Sequence, residues 1–407
     1  MILSIQTPSK RPRGGRADVA VVGGGVVGAA CALALAQQDL HVVLIEAQEP
    51  TAWSVDAPDL RVYAFAPDNA ALLDAVGVWS SVREARAHPY ARMRVWDAAG
   101  GDELRFDADD FAVAQLGWIV ENALLQDRLW AALRRSGVTL RCPARVEAFE
   151  QRDDGVALTL DDGLRVDANI AIAADGGASK LRELAGISVQ RHDYAQSGVV
   201  AYVATERPHE NTAWQRFLPT GPLAFLPFAR LPGCDAPSSI VWTLPAHEAA
   251  RVVALDDDAF SVELERAFAG RLGETRPLSK RVAFPLRRQL AERFVDGRVL
   301  TVGDAAHMVH PLAGQGVNLG LRDVSALRDL VVDAKQRRVD WASPHRLARW
   351  ARLRRSDSVA SAYAFGAINR VFSNDDFAAT MLRGRALGLA GKLAPLNRAL
   401  WRHAAGV

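Results

Sequence analysis

At 407 residues the chain is too long for one compact core, so two interleaved domains are expected. Hydrophobic residues make up 49%, a globular proportion that excludes a disordered chain. The 49 basic residues nearly cancel the 47 acidic ones, so no overall field favours nucleic acid.

The N-terminus carries a short apolar run, Met1-Ile2-Leu3-Ser4-Ile5, followed by basic Lys10-Arg11-Pro12-Arg13. The run is too short for a signal peptide and its charges follow where they should precede. The tail before Ala17 reads as disordered, and no window reaches the roughly 20 apolar residues of a membrane helix.

Val19 to Val22 then form an apolar strand that enters Gly23-Gly24-Gly25-Val26-Val27-Gly28. Gly23 permits a tight turn, Gly25 lets a pyrophosphate approach the backbone, and Gly28 lets the next helix pack on the sheet. That helix, about Val26 to Gln38, would point its first-turn N–H groups and dipole at the phosphate. The following strand, His41 to Ile45, ends in Glu46, about 20 residues beyond the glycines, where an acid bonds an unphosphorylated ribose. FAD and NAD both fit this first element. The three cysteines, Cys31, Cys142 and Cys234, form no C-x-x-C or metal spacing and read as reduced cytosolic thiols. Cys31 is expected to be a small packing residue of the helix.

Alternation of Met93, Val95 and Leu104, Phe106 around Gly100-Gly101 predicts a hairpin. Leu125, Leu129 and Leu133 place one apolar face on a helix over Leu124 to Ser136. A second hairpin is expected across Asp161-Asp162-Gly163. Between Val199 and Leu244, alternating strands punctuated by Pro219, Gly221-Pro222 and Pro232-Gly233 predict a further sheet. Its aromatic residues Trp214, Phe217, Phe225, Phe228 and Trp242 read as core, with one apolar pocket left beneath the cofactor.

Arg298 to Val302 has the pattern of a buried strand ending in Gly303-Asp304. That places Asp304 where ligands of open α/β sheets bind and where a carboxylate can accept a bond from a ribityl hydroxyl. From Pro311 onward, small residues and glycines open the next helix and bring backbone N–H groups against a planar ring. Beyond Phe377, apolar residues recur near helical spacing among Arg383, Arg385, Lys392, Arg398 and Arg402. This basic amphipathic pattern suits either an anionic membrane surface or a helix packed on the protein, and Pro395 interrupts it.

Gly303 to Asp323 resembles the second flavin motif of the aromatic-ring hydroxylases related to para-hydroxybenzoate hydroxylase. Within it, His310-Pro311-Leu312-Ala313-Gly314-Gln315-Gly316-x-Asn318-x-Gly320-x-x-Asp323 resembles the signature of the FAD-dependent hydroxylases of ubiquinone biosynthesis. Ala173-Ala174-Asp175-Gly176-x-x-Ser179-x-x-Arg182 is similar to the family's Asp-Gly motif, credited with positioning the FAD and NAD(P)H pyrophosphates. Asp59-Leu60-Arg61-Val62-x-Ala64 is similar to the segment that carries an arginine over the flavin. Gly117 to Asn122 is similar to a strand–helix junction whose amide touches the cofactor, and Phe372-Ser373-Asn374-Asp375 to a segment near the family's C-terminus. Gly177-Ala178 and Met308-Val309 depart from the commoner residues.

The resemblance implies an α/β fold, with a Rossmann-like FAD-binding domain (17–85, 118–185 and 282–345) interleaved with a mainly antiparallel-sheet substrate domain (86–117 and 186–281). A helical C-terminal region (346–407) follows. It implies FAD held at Gly23, Gly25, Gly28, Glu46, Arg61, Asn122, Asp175, Gly303, Asp304, Pro311, Gly316, Val317 and Asn318, with NAD(P)H as co-substrate and O₂ as oxidant. His307 and His310 are expected to shape the flavin turn, and no catalytic residue is assigned. The implied substrate is a polyprenylated phenol or quinol of ubiquinone biosynthesis. The implied setting is a cytoplasmic enzyme, peripheral at the inner face of the membrane through its basic C-terminal region and assembled with other quinone-biosynthesis proteins. Two alternatives stand beside it: a hydroxylase of a soluble aromatic such as a hydroxybenzoate, or a non-catalytic lipid-binding or scaffold protein of the same fold.

Overall fold

A computed structural model describes residues 15–309, 315–372, 401–402 and 405–406. The N-terminal tail, His310 with Pro311, Ser373 to Asp375 and the amphipathic stretch up to residue 400 lie outside the described residues.

In chain order the elements begin with β1 (Ala17–Val22), α1 (Val26–Ala36), β2 (Val42–Ile45), β3 (Val62–Phe65), α2 (Pro67–Ala75) and α3 (Trp79–Arg86). Next come β4 (His88–Tyr90), β5 (Arg92–Asp97), β6 (Leu104–Asp107), β7 (Gly117–Glu121), α4 (Asn122–Leu133), β8 (Thr139–Arg141) and β9 (Val146–Gln151). The middle of the chain supplies β10 (Val156–Leu160), β11 (Arg165–Ala173), α5 (Lys180–Leu184), β12 (Val189–Thr205), β13 (Thr212–Leu218), β14 (Gly221–Pro227) and β15 (Ser238–Pro245). The chain continues with α6 (Ala246–Ala254), α7 (Asp257–Ala267), β16 (Thr275–Pro277), β17 (Val282–Ala291), β18 (Val295–Asp296) and β19 (Val299–Thr301). Last are β20 (His307–Met308), α8 (Gln315–Arg337) and α9 (Pro344–Phe372).

The first sheet runs β18-β19-β11-β1-β2-β8, with β10 and β9 continuing from β11. β1 is parallel to β2 and to β11, and β19 is parallel to β11. Val19, Val42, Leu44 and Ile170 are fully buried, as expected of strands covered on both faces. Alanine-rich α1 lies wholly in this core, where small side chains let it approach the strands closely.

The second sheet runs β20-β17-β12-β15-β14-β13-β5-β6 and is antiparallel except where β13 meets β5. Alternation gives it two different faces. Val199, Leu223, Phe225, Ile240 and Trp242 pack with Val252, Phe260, Leu264 and Phe268 of the covering helical segment. On the opposite face Tyr202, Ala213, Ala224 and Leu226 pack with Ala64 of β3 and Ile119 of β7. A three-stranded sheet, β3-β7-β4, bridges the two.

The sequence expectation of a return to the first sheet at Val282 is corrected. β17 pairs with β12 from Val189↔Ala291 to Val200↔Val282, so the chain rejoins the first sheet only at β18 and β19. β17 alternates unevenly between exposed and buried positions and lacks the two-sided burial that a parallel central strand requires. β4, expected within the substrate segment, pairs instead with β7.

Candidate cofactor and substrate site

A cleft of about 980 Å³ opens at the carboxyl ends of β1, β2, β11 and β19. Its wall begins at the glycine turn. Gly23 has φ +106°, and a Cβ there would collide with the Ala174 backbone, so only glycine fits the turn. Gly24 is fixed from both sides: its N–H donates to Glu46 Oε2 at 2.5 Å and its carbonyl accepts from Trp130 Nε1 at 2.7 Å. A Cβ on Gly28 would strike the Gly23 carbonyl, which is the close helix-to-strand packing anticipated for it. At Gly25, by contrast, a Cβ would meet nothing within 4 Å.

Two features of this chain fit a dinucleotide. The space beside Gly25 is open cleft, and α1 begins there with no side-chain cap and no acid in its first turn. Its leading N–H groups therefore face the cleft and suit an anion such as a pyrophosphate.

Glu46 lines the same cleft with Gln48 and Arg145. Asp175 also lines it, although its carboxylate is engaged locally: it accepts from the Ser179 hydroxyl and from the Lys180 N–H at 2.7 Å, which caps α5. Arg182 of the same motif is buried and donates to the Ala305 carbonyl at 3.0 Å, which ties the Asp-Gly segment to the distal motif. The two departures from the family pattern touch each other, since a Cβ on Gly177 would collide with Met308 Sδ. Glycine at 177 makes room for methionine at 308.

At its far end the cleft is lined by Arg61, Tyr63, Asn122, Asp304 and Val317. The Arg61 guanidinium lies 5.5 Å from the centre of the Tyr63 ring. Burial pushes the Tyr63 hydroxyl up to about 12, and it donates to Asn122 Oδ1 at 3.0 Å. A second cavity of about 370 Å³, mostly apolar, starts from the same residues: Arg61, Tyr63, Asp304 and Val317 line both spaces. A planar ring at this junction would face the nucleotide cleft on one side and an apolar chamber on the other.

Gly316 lines the apolar chamber, while Gly303 packs against Val27 directly behind Asp304. Gly303 has φ +58°, and its N–H donates to Asp323 Oδ2 at 3.0 Å. Asp323 is fully buried and also accepts from His307 Nε2 at 2.6 Å and Arg354 Nε at 2.8 Å. Burial alone would push the Asp323 carboxyl up, but His307 and Arg354 together hold it below the ordinary aspartate range. His307 thus braces the flavin turn from behind.

Among the sequence candidates, Gly28, Gly303 and Asn318 line neither cavity. The Asn318 side chain is fully buried away from both cavities, accepting from Ala66 N–H at 3.0 Å and donating to the Ala64 carbonyl at 2.8 Å. It locks α8 to the end of β3, so it positions the site where direct cofactor contact was expected. Pro311 lies outside the described residues.

Sequence reasoning passed over Tyr63 and the role of Glu121. Glu121 is fully buried, accepts from Asp59 N–H at 2.8 Å and Trp53 Nε1 at 3.2 Å, and pairs with Arg86 at 3.5 Å. Burial pushes its carboxyl up. The cluster pins the loop that presents Arg61. An acid closing the apolar strand Gly117 to Val120 was the available signal. Cys31 is buried, with a thiol pushed up to about 12 by burial, in keeping with a packing role.

The comparisons with known proteins agree with this geometry. Residues 16–356 match the family model of the FAD binding domain. The chain is 39% identical to ubiquinone hydroxylase UbiL of Rhodospirillum rubrum, over 96% of this chain and 90% of that one. It is 38% identical to 3-demethoxyubiquinol 3-hydroxylase of Escherichia coli, over 96% and 98%. The crystal structure of p-nitrophenol 4-monooxygenase PnpA from Pseudomonas putida shares the fold, with a TM-score of 0.74 at 21% identity over 95% and 96% of the two chains. Fold and cleft define an FAD-dependent aromatic-ring monooxygenase that uses NAD(P)H and O₂. Within that class, the chain belongs to the family of FAD-dependent hydroxylases of ubiquinone biosynthesis.

Proposed function

We propose that this protein hydroxylates the aromatic ring of a polyprenyl phenol or quinol on the way to ubiquinone. The observation that supports it most is the junction at Arg61, Tyr63, Asp304 and Val317, from which a dinucleotide-sized cleft and an apolar chamber both open. Bound FAD, reduced by NAD(P)H, supplies the activation of O₂ and the transfer of one oxygen atom to the ring.

The protein's part is binding, orientation and exclusion of water. Gly25 and the start of α1 would hold the pyrophosphate on the turn that Gly23 and Gly28 shape, Glu46 the ribose, and Asp304 a ribityl hydroxyl. Asn122 and Arg61 would flank the ring, and the backbone around Gly303, Gly316 and Val317 would close its other edge. Attack on a phenol is favoured when its proton is lost or its developing charge is balanced. Arg61 is the permanently charged group at the junction suited to that balance. A hydroxybenzoate would require a further cation for its carboxylate. Arg287, the other arginine of the chamber, already pairs with Asp193 at 3.2 Å.

A polyprenyl substrate resides in a membrane. Among the described residues no helix is long and apolar enough to cross one. Exposed Arg349, Arg352 and Arg355 beside Leu353, itself 62% exposed, give α9 a basic face with an apolar element. That face supports contact with an anionic membrane surface, and the proposal extends to a cytoplasmic protein working beside other quinone-biosynthesis proteins.

The test is deletion of the gene followed by mass spectrometry of the quinone fraction. An accumulated prenyl-phenol or quinol lacking one ring hydroxyl is expected. Unchanged ubiquinone in a strain with no second hydroxylase would overturn the proposal.

A further inference from the structure

The chamber floor is one face of the second sheet, and its pattern is uneven. Directly opposed residues place Gln215, Ala224, Val241, Val200 and Val282 in one row across β13, β14, β15, β12 and β17. The neighbouring row holds Thr243, Gly198 and Phe284. Gln215 and Thr243 are each more than nine-tenths buried, line the chamber, and have no side-chain hydrogen-bond partner among the described residues. The polar atoms of neither side chain are sealed off from space, so both can present hydrogen-bonding groups to a ligand oxygen in the chamber. Gln215 stands at one end of the floor.

The other end is apolar and open. β17 residues Phe284 and Pro285 line the chamber and are exposed to solvent. Between Phe284 and Thr243 lies Gly198, which carries no side chain and leaves a trough in the sheet surface. β13 and β17 are four strand spacings apart, roughly 19 Å at about 4.8 Å each, which exceeds the width of one aromatic ring.

We infer that Gln215, assisted by Thr243, recognises a hydroxyl or methoxyl oxygen on the substrate ring, and that the Gly198 trough carries its hydrophobic tail outward over Phe284. This rests on the reading of the substrate as a tail-bearing oxygenated aromatic and extends it to orientation. Oxygens go inward toward β13 and the tail goes outward across β17. The amide can donate to an ether oxygen and accept from a hydroxyl, so both ring substituents are compatible with it. Gly198 has ordinary strand backbone, and a Cβ there would make only ordinary contacts with Leu286 at 3.5 Å, so a valine fits locally while filling the trough.

The experiment uses the FAD-loaded protein and two probes, methoxyhydroquinone and its decyl derivative, with affinities read by quenching of flavin fluorescence. Gln215→Met should weaken both probes by about tenfold, the loss of one hydrogen bond to a buried group. Thr243→Val should act in the same direction for both. Gly198→Val should weaken the decyl probe alone. Flavin content and melting temperature identify any variant that misfolds, and the remaining two then decide. Equal binding of both probes to Gln215→Met and to the parent would overturn the assignment of the amide. Loss of the tail-less probe in Gly198→Val would overturn the trough. If the parent protein itself prefers the tail-less probe, the polyprenyl reading fails instead.

Discussion

Replacing Gly25 by alanine should separate cofactor binding from folding. A Cβ at this position meets no atom within 4 Å. Its φ of −64° and ψ of −179° are open to alanine. The cofactor-free protein should therefore keep its stability or gain about 0.4–1 kcal/mol through the reduced freedom of its unfolded chain. The methyl group projects into the cleft, however, where a pyrophosphate must come against bare backbone. A fall in FAD affinity of at least about tenfold, near 1.4 kcal/mol, is expected. Gly28→Ala should behave in the opposite way, because its Cβ would strike the Gly23 carbonyl and crowd Ala174. Overpacking of this kind costs about 1–3 kcal/mol and should lower the melting temperature before any flavin is added. Calorimetry of the apoproteins and fluorescence titration with FAD measure the two quantities separately. A Gly25→Ala protein with parental FAD affinity, or one destabilised as much as Gly28→Ala, would refute the reasoning.

Four further outcomes follow from the turn, the buried ionisable groups and the thiols. Asp304→Ala should release flavin while leaving apoprotein stability within about 0.5 kcal/mol of the parent, as for other changes outside the packed core; retained flavin on gel filtration would contradict this. Asp323→Asn should cost about 3 kcal/mol, because Arg354 loses its buried counter-charge. The depressed Asp323 carboxyl contributes stability above the ordinary aspartate range, lost as pH falls through its folded value, so the variant should also show a flatter acid limb in urea melts. His209 is buried and held down to about 4, first by burial and then by His88. A depressed base contributes stability above its unfolded value near 6.5, lost as pH falls from there toward 4. The loss is about 3 kcal/mol at roughly 1.4 kcal/mol per pH unit, and His209→Gln should remove it. Iodoacetamide with peptide mapping should modify the half-buried Cys142 and Cys234 well before Cys31; early labelling of Cys31 would show that its pocket opens.

The parts legible in the sequence were those written locally. The turn from Gly23 to Gly28 and the acid at Glu46 form one βαβ unit, where spacing along the chain fixes spacing in space. The strand before Gly303-Asp304 was legible for the same reason. Faces and pairings were harder. Phe225 and Trp242 were correctly read as core, yet the residues between them, Ala224 and Val241, line the chamber, and small aliphatic side chains give no signal in composition. β17 was misassigned because its apolar and charged residues do not declare which sheet they join. The lock that the Asn318 side chain makes between α8 and β3 was not legible, because a motif position says that a residue matters without saying what its side chain holds. The Glu121 cluster draws on Trp53, Asp59, Arg86 and Tyr202, scattered over some 150 residues, and no local pattern could have gathered them.

The proposed function places one redox ring between the nucleotide cleft and the apolar chamber. Its most direct test is a single-turnover reaction of the FAD-loaded protein with NADPH, a prenylated methoxyphenol and isotopically labelled O₂. The expected product carries one labelled oxygen on the aromatic ring, formed by the parent and, at limiting FAD, in reduced yield by Gly25→Ala. Consumption of NADPH with hydrogen peroxide released and no label in the ring would contradict it.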